Sequence, residues 1–255
     1  MGISYRPMSD GGRINFTSTQ GNDVSDTIQK LDSYSKEHPE SSFAEWLRVS
    51  NKDRWNTMLN HRFICEMETD TILNTVFERY LHNEHAFVRS AIQIFAYALA
   101  KTATVDDQNR IVKIVYALAT EQDQYFHKTY QTMGLAHNYR ESMPLDGQAL
   151  LLSEGAIGIA ESCTYLEILS TMLAAEWMYL TWCAAAASGK ATGVKKAWID
   201  LHVGNGFRDQ VAWMTRRVNE LGMVAPIDIQ DACSRHFGNM LDWEVAFHDA
   251  PYEKT

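Results

Sequence analysis

Apolar residues recur every three or four positions along most of the chain after residue 41, which is the period of an amphipathic helix. No run of alternating apolar and polar residues is long enough to predict a strand. The sequence therefore predicts an all-α fold. The expected helices span residues 42–60, 62–70, 74–101, 106–134, 148–162, 164–188, 194–221 and 228–248.

The first forty residues differ from the rest in composition. They are rich in Ser, Asp, Thr and Gly with scattered apolar positions, so they bury too little surface to offset the entropy of ordering them alone. Pro39 and the pattern Ser42-x-x-Glu45, a helix-capping box, mark the start of the periodic region. We expect residues 1–40 to form an irregular N-terminal extension and residues 41–255 to form a single helical domain.

Charge and cysteine usage exclude several classes of protein. The 32 acidic residues outnumber the 23 basic ones, giving a net charge of −9 that repels a phosphate backbone, so no nucleic-acid partner is expected. The four cysteines are widely spaced without a CxxC pair, as is typical of reduced thiols. The N-terminus lacks the apolar core of a signal peptide. We expect a cytoplasmic protein.

Residues 168–187 form one long apolar segment that has the length of a membrane span, about 20 residues. Glu176 lies near its centre, where a carboxylate costs roughly 2.5–3.5 kcal/mol on insertion scales. No second such segment shares this cost. The segment is therefore interpreted as a buried core helix, and no membrane association is expected.

Acidic side chains occur inside the apolar stripes of several predicted helices. Glu84 and Glu244 continue the core-facing stripes of their helices, and Glu176 lies on the most apolar helix of the chain. A desolvated carboxylate must be paired, hydrogen-bonded or protonated, and such groups often mark functional sites. Each is either a functional group or part of a structural ion pair. Glu121 is a fourth case, more typical of a hydrogen-bonding core residue.

Motifs for other kinds of chemistry are weak or missing. The Glu-x-x-His pattern of di-iron bundles does not occur, and neither do the GxSxG, GxGxxG and GxxxxGK patterns. Glu244 with His248, or His82 with His85, could bind a metal, but these spacings arise often by chance. The Gly204-Asn205-Gly206 sequence is interpreted as a place where a helix loosens next to a pocket. No metal and no cofactor are predicted.

Five short motifs follow one another along the chain. They are His61-Arg-Phe-Ile leading to Phe77-x-x-Tyr80-x-x-x-Glu84, Glu121-x5-His127, Ala175-Glu-Trp-Met-Tyr179, Trp198-Ile-Asp-Leu-His202 and Trp243-Glu244-Val-Ala-Phe247. In this order they resemble the motifs of the TenA/thiaminase II family, over about residues 42–252. The resemblance implies a haem-oxygenase-like helical bundle, commonly a homotetramer, around an apolar pocket that holds an aminopyrimidine.

The resemblance also implies roles for individual residues. Glu84 occupies the position of the family's acidic residue, which holds the exocyclic amine of the substrate. Glu244 occupies the position of the family's carboxylate that forms a hydrogen bond with a ring nitrogen. Phe87 matches an aromatic residue that stacks on the ring, and Tyr179 matches a tyrosine beside the site. A flat heterocycle needs apolar walls and an acid at its ring nitrogen, which fits these residue types.

Two departures from the family pattern affect the expected chemistry. Ala175 stands where the family has its nucleophilic cysteine, so a thiolate cannot attack from that position. His202 replaces a family tyrosine. Some members of the family lack the cysteine and rely on carboxylates, and Glu176, next to Ala175, is expected to supplement Glu84 and Glu244.

Three functions are compatible with these features. The first is a hydrolase that acts on an aminopyrimidine from thiamin breakdown without a cysteine nucleophile. The second is a protein of the same fold that binds a small heterocycle without transforming it. The third is a non-haem metal oxygenase or cofactor-modifying oxidase that uses His202, His248 and the carboxylates. A pyrimidine-type ligand and a homo-oligomer, dimer or tetramer, are the expected partners.

Overall fold

The computed structural model describes residues 31–38, 41–135 and 147–253, and every regular element among them is helical, which confirms the all-α prediction. The helices, in chain order, are α1 (Leu31–Glu37), α2 (Phe43–Ser50), α3 (Lys52–Leu59), α4 (Arg62–Thr69), α5 (Asn74–Lys101), α6 (Val105–Ala117), a π-helix (Leu118–Gln122), α7 (Asp123–Met133), α8 (Gly147–Ser162), α9 (Tyr165–Ala186), α10 (Gly193–Leu201), α11 (Asn205–Gly222), α12 (Ile227–Asp249) and a 3₁₀ turn (Ala250–Tyr252).

The long helices pack around one hydrophobic core. Helix α12 lies against both α8 and α9, α8 also packs on α5, and α11 covers another side of α9. Helix α9 is buried along most of its length, which explains the apolar run at residues 168–187. In the part of the chain that the structure describes, no helix has the length and apolar character needed to cross a membrane. This arrangement is a single helical domain.

Two predicted helices are interrupted. The helix expected over residues 42–60 ends at Ser50 and restarts at Lys52, because the Asn51 Nδ2 donates to the carbonyl oxygens of Leu47 at 2.9 Å and Ser234 at 3.0 Å. The helix expected over residues 194–221 breaks between Leu201 and Asn205. Only the second break carries a sequence signal, the glycines of the Gly204–Gly206 step.

The helix expected over residues 106–134 contains a π-helical segment at Leu118–Gln122. Helix α6, which precedes this segment, is capped by Thr104, whose Oγ1 accepts a hydrogen bond from the Asp107 backbone N–H at 3.1 Å. Single-turn π segments occur mostly inside α-helices and often at functional sites. The helical periodicity of the sequence does not reveal this local change of winding.

Helix α1 forms inside the segment that was expected to be irregular, and it buries Leu31 and Tyr34 against the core. Ser41 Oγ lies 3.3 Å from the Tyr34 hydroxyl oxygen. Residues 1–30 lie outside the described residues, so the expectation for them stays a prediction.

Helices α8 and α12 approach each other at Gly155. A methyl group built at this glycine would lie 2.4 Å from Cζ2 of Trp243, the residue that precedes Glu244. Contacts this short require the tryptophan ring or the helix to shift. Glycine at 155 therefore sets the distance between the two helices.

This contact predicts opposite effects for two glycines on one helix. Gly155→Ala is expected to lower the free energy of unfolding by about 1–3 kcal/mol, because the added methyl group overpacks the interface. Gly158→Ala is the matched control, since Gly158 is exposed on α8 and has open space around it. It is expected to raise stability by about 0.5–1 kcal/mol through helix propensity. Urea unfolding of both variants measures the difference, and equal effects would contradict the packing argument.

Candidate active site

A cavity of about 540 Å³ lies between α5, α6, the π-helix, α9, the α10–α11 connection and α12. Pockets of this size are typical of small-molecule sites. All seven site residues predicted from the sequence line it: Glu84, Phe87, Ala175, Glu176, Tyr179, His202 and Glu244. Each of the five sequence motifs thus contributes at least one residue to the lining of this cavity.

The helical spacing of these residues places their side chains on the helix faces that border the cavity. Glu84 and Phe87 are three residues apart on α5, and Ala175 and Tyr179 are four residues apart on α9, so each pair lies on one helix face. Glu244 comes from the buried face of α12. The carboxylates therefore reach the cavity from three helices that the core packing holds together.

Hydroxyl groups connect α5 to α9 beneath the cavity. The hydroxyl oxygens of Tyr80 and Tyr179 lie 2.8 Å apart, and the Tyr179 hydroxyl donates to Glu84 Oε2 at 3.3 Å. Nε2 of His248 lies 3.5 Å from the same Tyr179 oxygen. With one proton on each hydroxyl, Tyr80 donates to Tyr179 and Tyr179 donates to Glu84. This chain fixes the orientation of the Glu84 carboxylate.

Burial disfavours the charged forms of all three carboxylates. It raises the pKa of Glu84 to about 7, with hydrogen bonds from Tyr179 and Tyr80 acting in the opposite direction. Burial and the charge of Glu84 raise the pKa of Glu176 to about 8. Burial, with Glu84 and Glu176, holds the pKa of Glu244 well above its usual value. Near neutral pH the site therefore holds protons that it can give to a ligand.

Glu244 lines the cavity, and its side chain is almost fully buried. Its Oε2 has no hydrogen-bond partner among the described residues, and it lies 3.5 Å from His248 Nδ1. That nitrogen lies 2.8 Å from the backbone carbonyl oxygen of Glu244. Burial lowers the pKa of His248 to about 3, so the ring is neutral and its Nδ1–H donates to the carbonyl. The Glu244 carboxyl group thus has one oxygen whose hydrogen-bonding capacity the described residues leave unused.

His202 forms part of the aromatic wall. Its ring is stacked against Tyr179 with centroids 5.1 Å apart, and it contacts Phe207 at 4.9 Å. Its Nδ1 lies 2.9 Å from the carbonyl oxygen of Trp198. Burial lowers the pKa of His202 to about 4, so at neutral pH the ring is uncharged. A neutral imidazole suits the wall of a site for a flat heterocycle.

The mouth of the cavity was not predicted from the sequence. Arg110 and Lys113 line it from α6, and Asp200 and Asp209 line it from α10 and α11. These charges belong to ordinary exposed helix faces in the sequence, so no periodicity marks them. The glycines at 204 and 206 do line the cavity, as their interpretation beside a pocket predicted.

No cysteine is found among the described residues that line the cavity. Cys183 and Cys233 are buried elsewhere in the core, Cys65 is exposed and Cys163 is half-buried. Ala175 faces the cavity instead. Carboxyl groups and the His202 imidazole are among the titratable groups that do line the cavity.

Comparison with known proteins agrees with this architecture. Residues 50–254 match the TENA/THI-4/PQQC family. The chain belongs to this family. No curated protein matches it.

Solved structures of similar proteins share its fold. A TenA homologue from Pyrococcus furiosus is 23% identical with a TM-score of 0.76, covering 82% of this chain and 100% of its own. A TenA family transcription regulator from Silicibacter sp. TM1040 is 15% identical with a TM-score of 0.78, covering 86% and 100%. A putative TenA-like thiaminase from Sulfolobus solfataricus P2 is 15% identical with a TM-score of 0.70, covering 82% and 94%. At these identities the comparison establishes the fold of this family member.

The raised pKa values predict how stability changes with pH. A carboxyl group whose pKa is higher in the folded state contributes stability fully below its unfolded pKa and loses it as pH rises through the folded pKa. For Glu176 the pKa rises from 4.5 to about 8, so the loss develops between these values. Glu176→Gln is expected to raise the free energy of unfolding by about 1–3 kcal/mol near pH 9 and to change it little near pH 4.

Urea unfolding of the wild type and the variant across this pH range measures that difference. Glu154→Gln is the control, because Glu154 is exposed on α8 and its charge is solvated in both states. A Glu176→Gln difference that stays constant with pH would show that the carboxyl group is not desolvated.

Proposed function

We propose that the protein is a hydrolase that acts on an aminopyrimidine of the thiamin-breakdown type without a cysteine nucleophile. The observation that carries this proposal is the convergence of Glu84, Glu176 and Glu244 on an aromatic cavity without a thiol among its described lining residues. Membership of the TENA/THI-4/PQQC family supports a thiamin-related function in general. So does the likeness to the putative TenA-like thiaminase.

The cavity provides separate groups for the ring and its substituents. Phe87, Tyr179 and His202, which all line the cavity, supply the flat walls that a pyrimidine needs. Glu84, oriented by the Tyr179 hydroxyl, accepts hydrogen bonds from an exocyclic amine. Glu244 donates a proton to a ring nitrogen, because its raised pKa keeps it protonated at neutral pH. The ligand thus meets an acceptor and a donor from different helices.

In the reaction, water replaces the amino group that is bonded to the methylene carbon next to the ring. Protonation of the ring nitrogen by Glu244 withdraws electrons from that carbon and makes it more electrophilic. The C–N bond breaks, a C–O bond forms with water, and the amine leaves with a proton as ammonia. Glu176, with its pKa of about 8, exchanges protons with the attacking water and the leaving amine at neutral pH.

A heterocycle-binding protein without catalysis is the second candidate. The observation that favours it is Ala175, which lines the cavity where the family nucleophile is expected. This candidate predicts measurable affinity for aminopyrimidines and no product at any pH. Steady product formation excludes it.

The first functional prediction concerns Glu244. Glu244→Gln is expected to lower turnover at least about 100-fold, because the amide cannot deliver a proton to the ring nitrogen. Mass spectrometry of products from aminomethylpyrimidine, formylaminomethylpyrimidine and thiamin measures this. Glu154→Gln is the control and should match the wild type. Circular dichroism should show an intact fold for both variants, and turnover by Glu244→Gln at the wild-type rate would contradict the assigned role.

The second functional prediction concerns thiols. Alkylation with iodoacetamide modifies accessible cysteines, of which Cys65 is exposed. If carboxyl groups and water perform the reaction, turnover of the alkylated protein should equal that of the untreated one. Intact-protein mass spectrometry confirms the modification. Complete loss of turnover on alkylation, prevented by substrate, would place a thiol in the mechanism and overturn the proposal.

A further inference from the structure

A second group of reactive side chains lies outside the cavity, where the α8–α9 turn meets α12. Cys163 Sγ is 3.8 Å from His236 Nε2, and the same nitrogen is 3.4 Å from Glu167 Oε1. The three ligand atoms all lie within 4.8 Å of one another. None of these residues lines the cavity. The function proposed above uses none of them.

The separations match those of ligands around one metal ion. Zinc binds Cys sulfur at about 2.3 Å, His nitrogen at about 2.0–2.1 Å and carboxylate oxygen at about 2.0–2.2 Å in tetrahedral geometry. These lengths put sulfur and nitrogen about 3.6 Å apart and nitrogen and oxygen about 3.4 Å apart. The observed distances of 3.8 Å and 3.4 Å are within a few tenths of an ångström of both.

Neighbouring groups hold the Glu167 side chain and the backbone of Cys163 in place. Glu167 uses its other oxygen, Oε2, to accept from the Thr164 backbone N–H at 2.8 Å and from the Thr164 hydroxyl at 2.6 Å, so Oε1 stays available. Lys101 Nζ donates to the carbonyl oxygen of Cys163 at 2.7 Å, which fixes the turn that carries the thiol. Such outer contacts orient metal ligands before the ion arrives.

The third side chain, His236, directs one ring nitrogen towards the other two residues of the cluster. Nε2 of His236 is the atom that faces Cys163 and Glu167, and its Nδ1 has no hydrogen-bond partner among the described residues. The side chain is 19% exposed, which leaves a path for an ion and for a water molecule as fourth ligand.

We propose that Cys163, Glu167 and His236 form a zinc site that joins the α8–α9 turn to α12. A thiolate, an imidazole and a carboxylate together favour Zn²⁺ over Mg²⁺ or Ca²⁺, which prefer oxygen ligands alone. Binding displaces the thiol proton, and a water molecule completes four-coordination. The bound ion connects the start of α9 and the middle of α12, the two helices that carry Glu176 and Glu244.

Cobalt substitution tests the site directly. Protein treated with a chelator and then titrated with Co²⁺ is expected to develop a thiolate-to-cobalt charge-transfer band and the intense visible bands of four-coordinate cobalt, which saturate at one ion per chain. Zinc should abolish them by displacement. Cys163→Ser should remove the charge-transfer band, and His236→Ala should weaken Zn²⁺ binding at least about 10-fold in competition with a chromophoric chelator.

Two controls keep the test independent of folding and of the proposed reaction. Cys65→Ser removes an exposed thiol away from the cluster and should bind Co²⁺ like the wild type. Zinc should raise the melting temperature of the wild type and of Cys65→Ser, but not that of Cys163→Ser, because an ion that binds only the folded state stabilises it. Cobalt spectra without a charge-transfer band, or a band that survives Cys163→Ser, would overturn the zinc site. Either result leaves the hydrolase proposal untouched.

Discussion

The packing of α12 against α8 and α9 is the constraint on which the candidate site depends. Helix α12 carries Glu244, and α9 carries Ala175, Glu176 and Tyr179, so the separation of these helices sets the shape of the cavity. The position of α12 also depends on its contact with α8 at Gly155, where the Trp243 ring lies close to the α8 backbone. A contact made by the residue before Glu244 therefore affects where the Glu244 carboxyl group lies.

The same packing forces three acidic groups into a poorly solvated space. Desolvation raises the pKa values of Glu84 and Glu176 to about 7 and 8 and holds that of Glu244 well above its usual value, so the folded protein tolerates these groups by keeping protons. An apolar residue at any of these positions would pack without this cost. Proteins commonly accept such local destabilisation where chemistry needs it, which is the pattern expected of an active site rather than of a structural core.

The sequence predicts the parts of the site that lie on regular helices. Glu84 and Glu244 are recognisable because a charge interrupts an apolar stripe of period 3.6, and the family resemblance adds Phe87, Tyr179 and His202. The break at Asn51 was missed because it depends on a hydrogen bond to Ser234, 183 residues away, which no local pattern contains. The charged mouth was missed because exposed charges look alike in sequence whether or not a cavity opens beside them.

The π-helical segment at Leu118–Gln122 has a consequence for how this cavity can vary. A π turn accommodates one residue more than an α turn, so it absorbs a single inserted residue without changing the helices on either side. Leu118, Glu121 and Gln122 all line the cavity. Loss of one residue here would restore regular winding and rotate the remaining side chains by about 100°, the angle per residue of an α-helix. Ligand preference can thus change by an indel in one turn, while the three carboxylates keep their places.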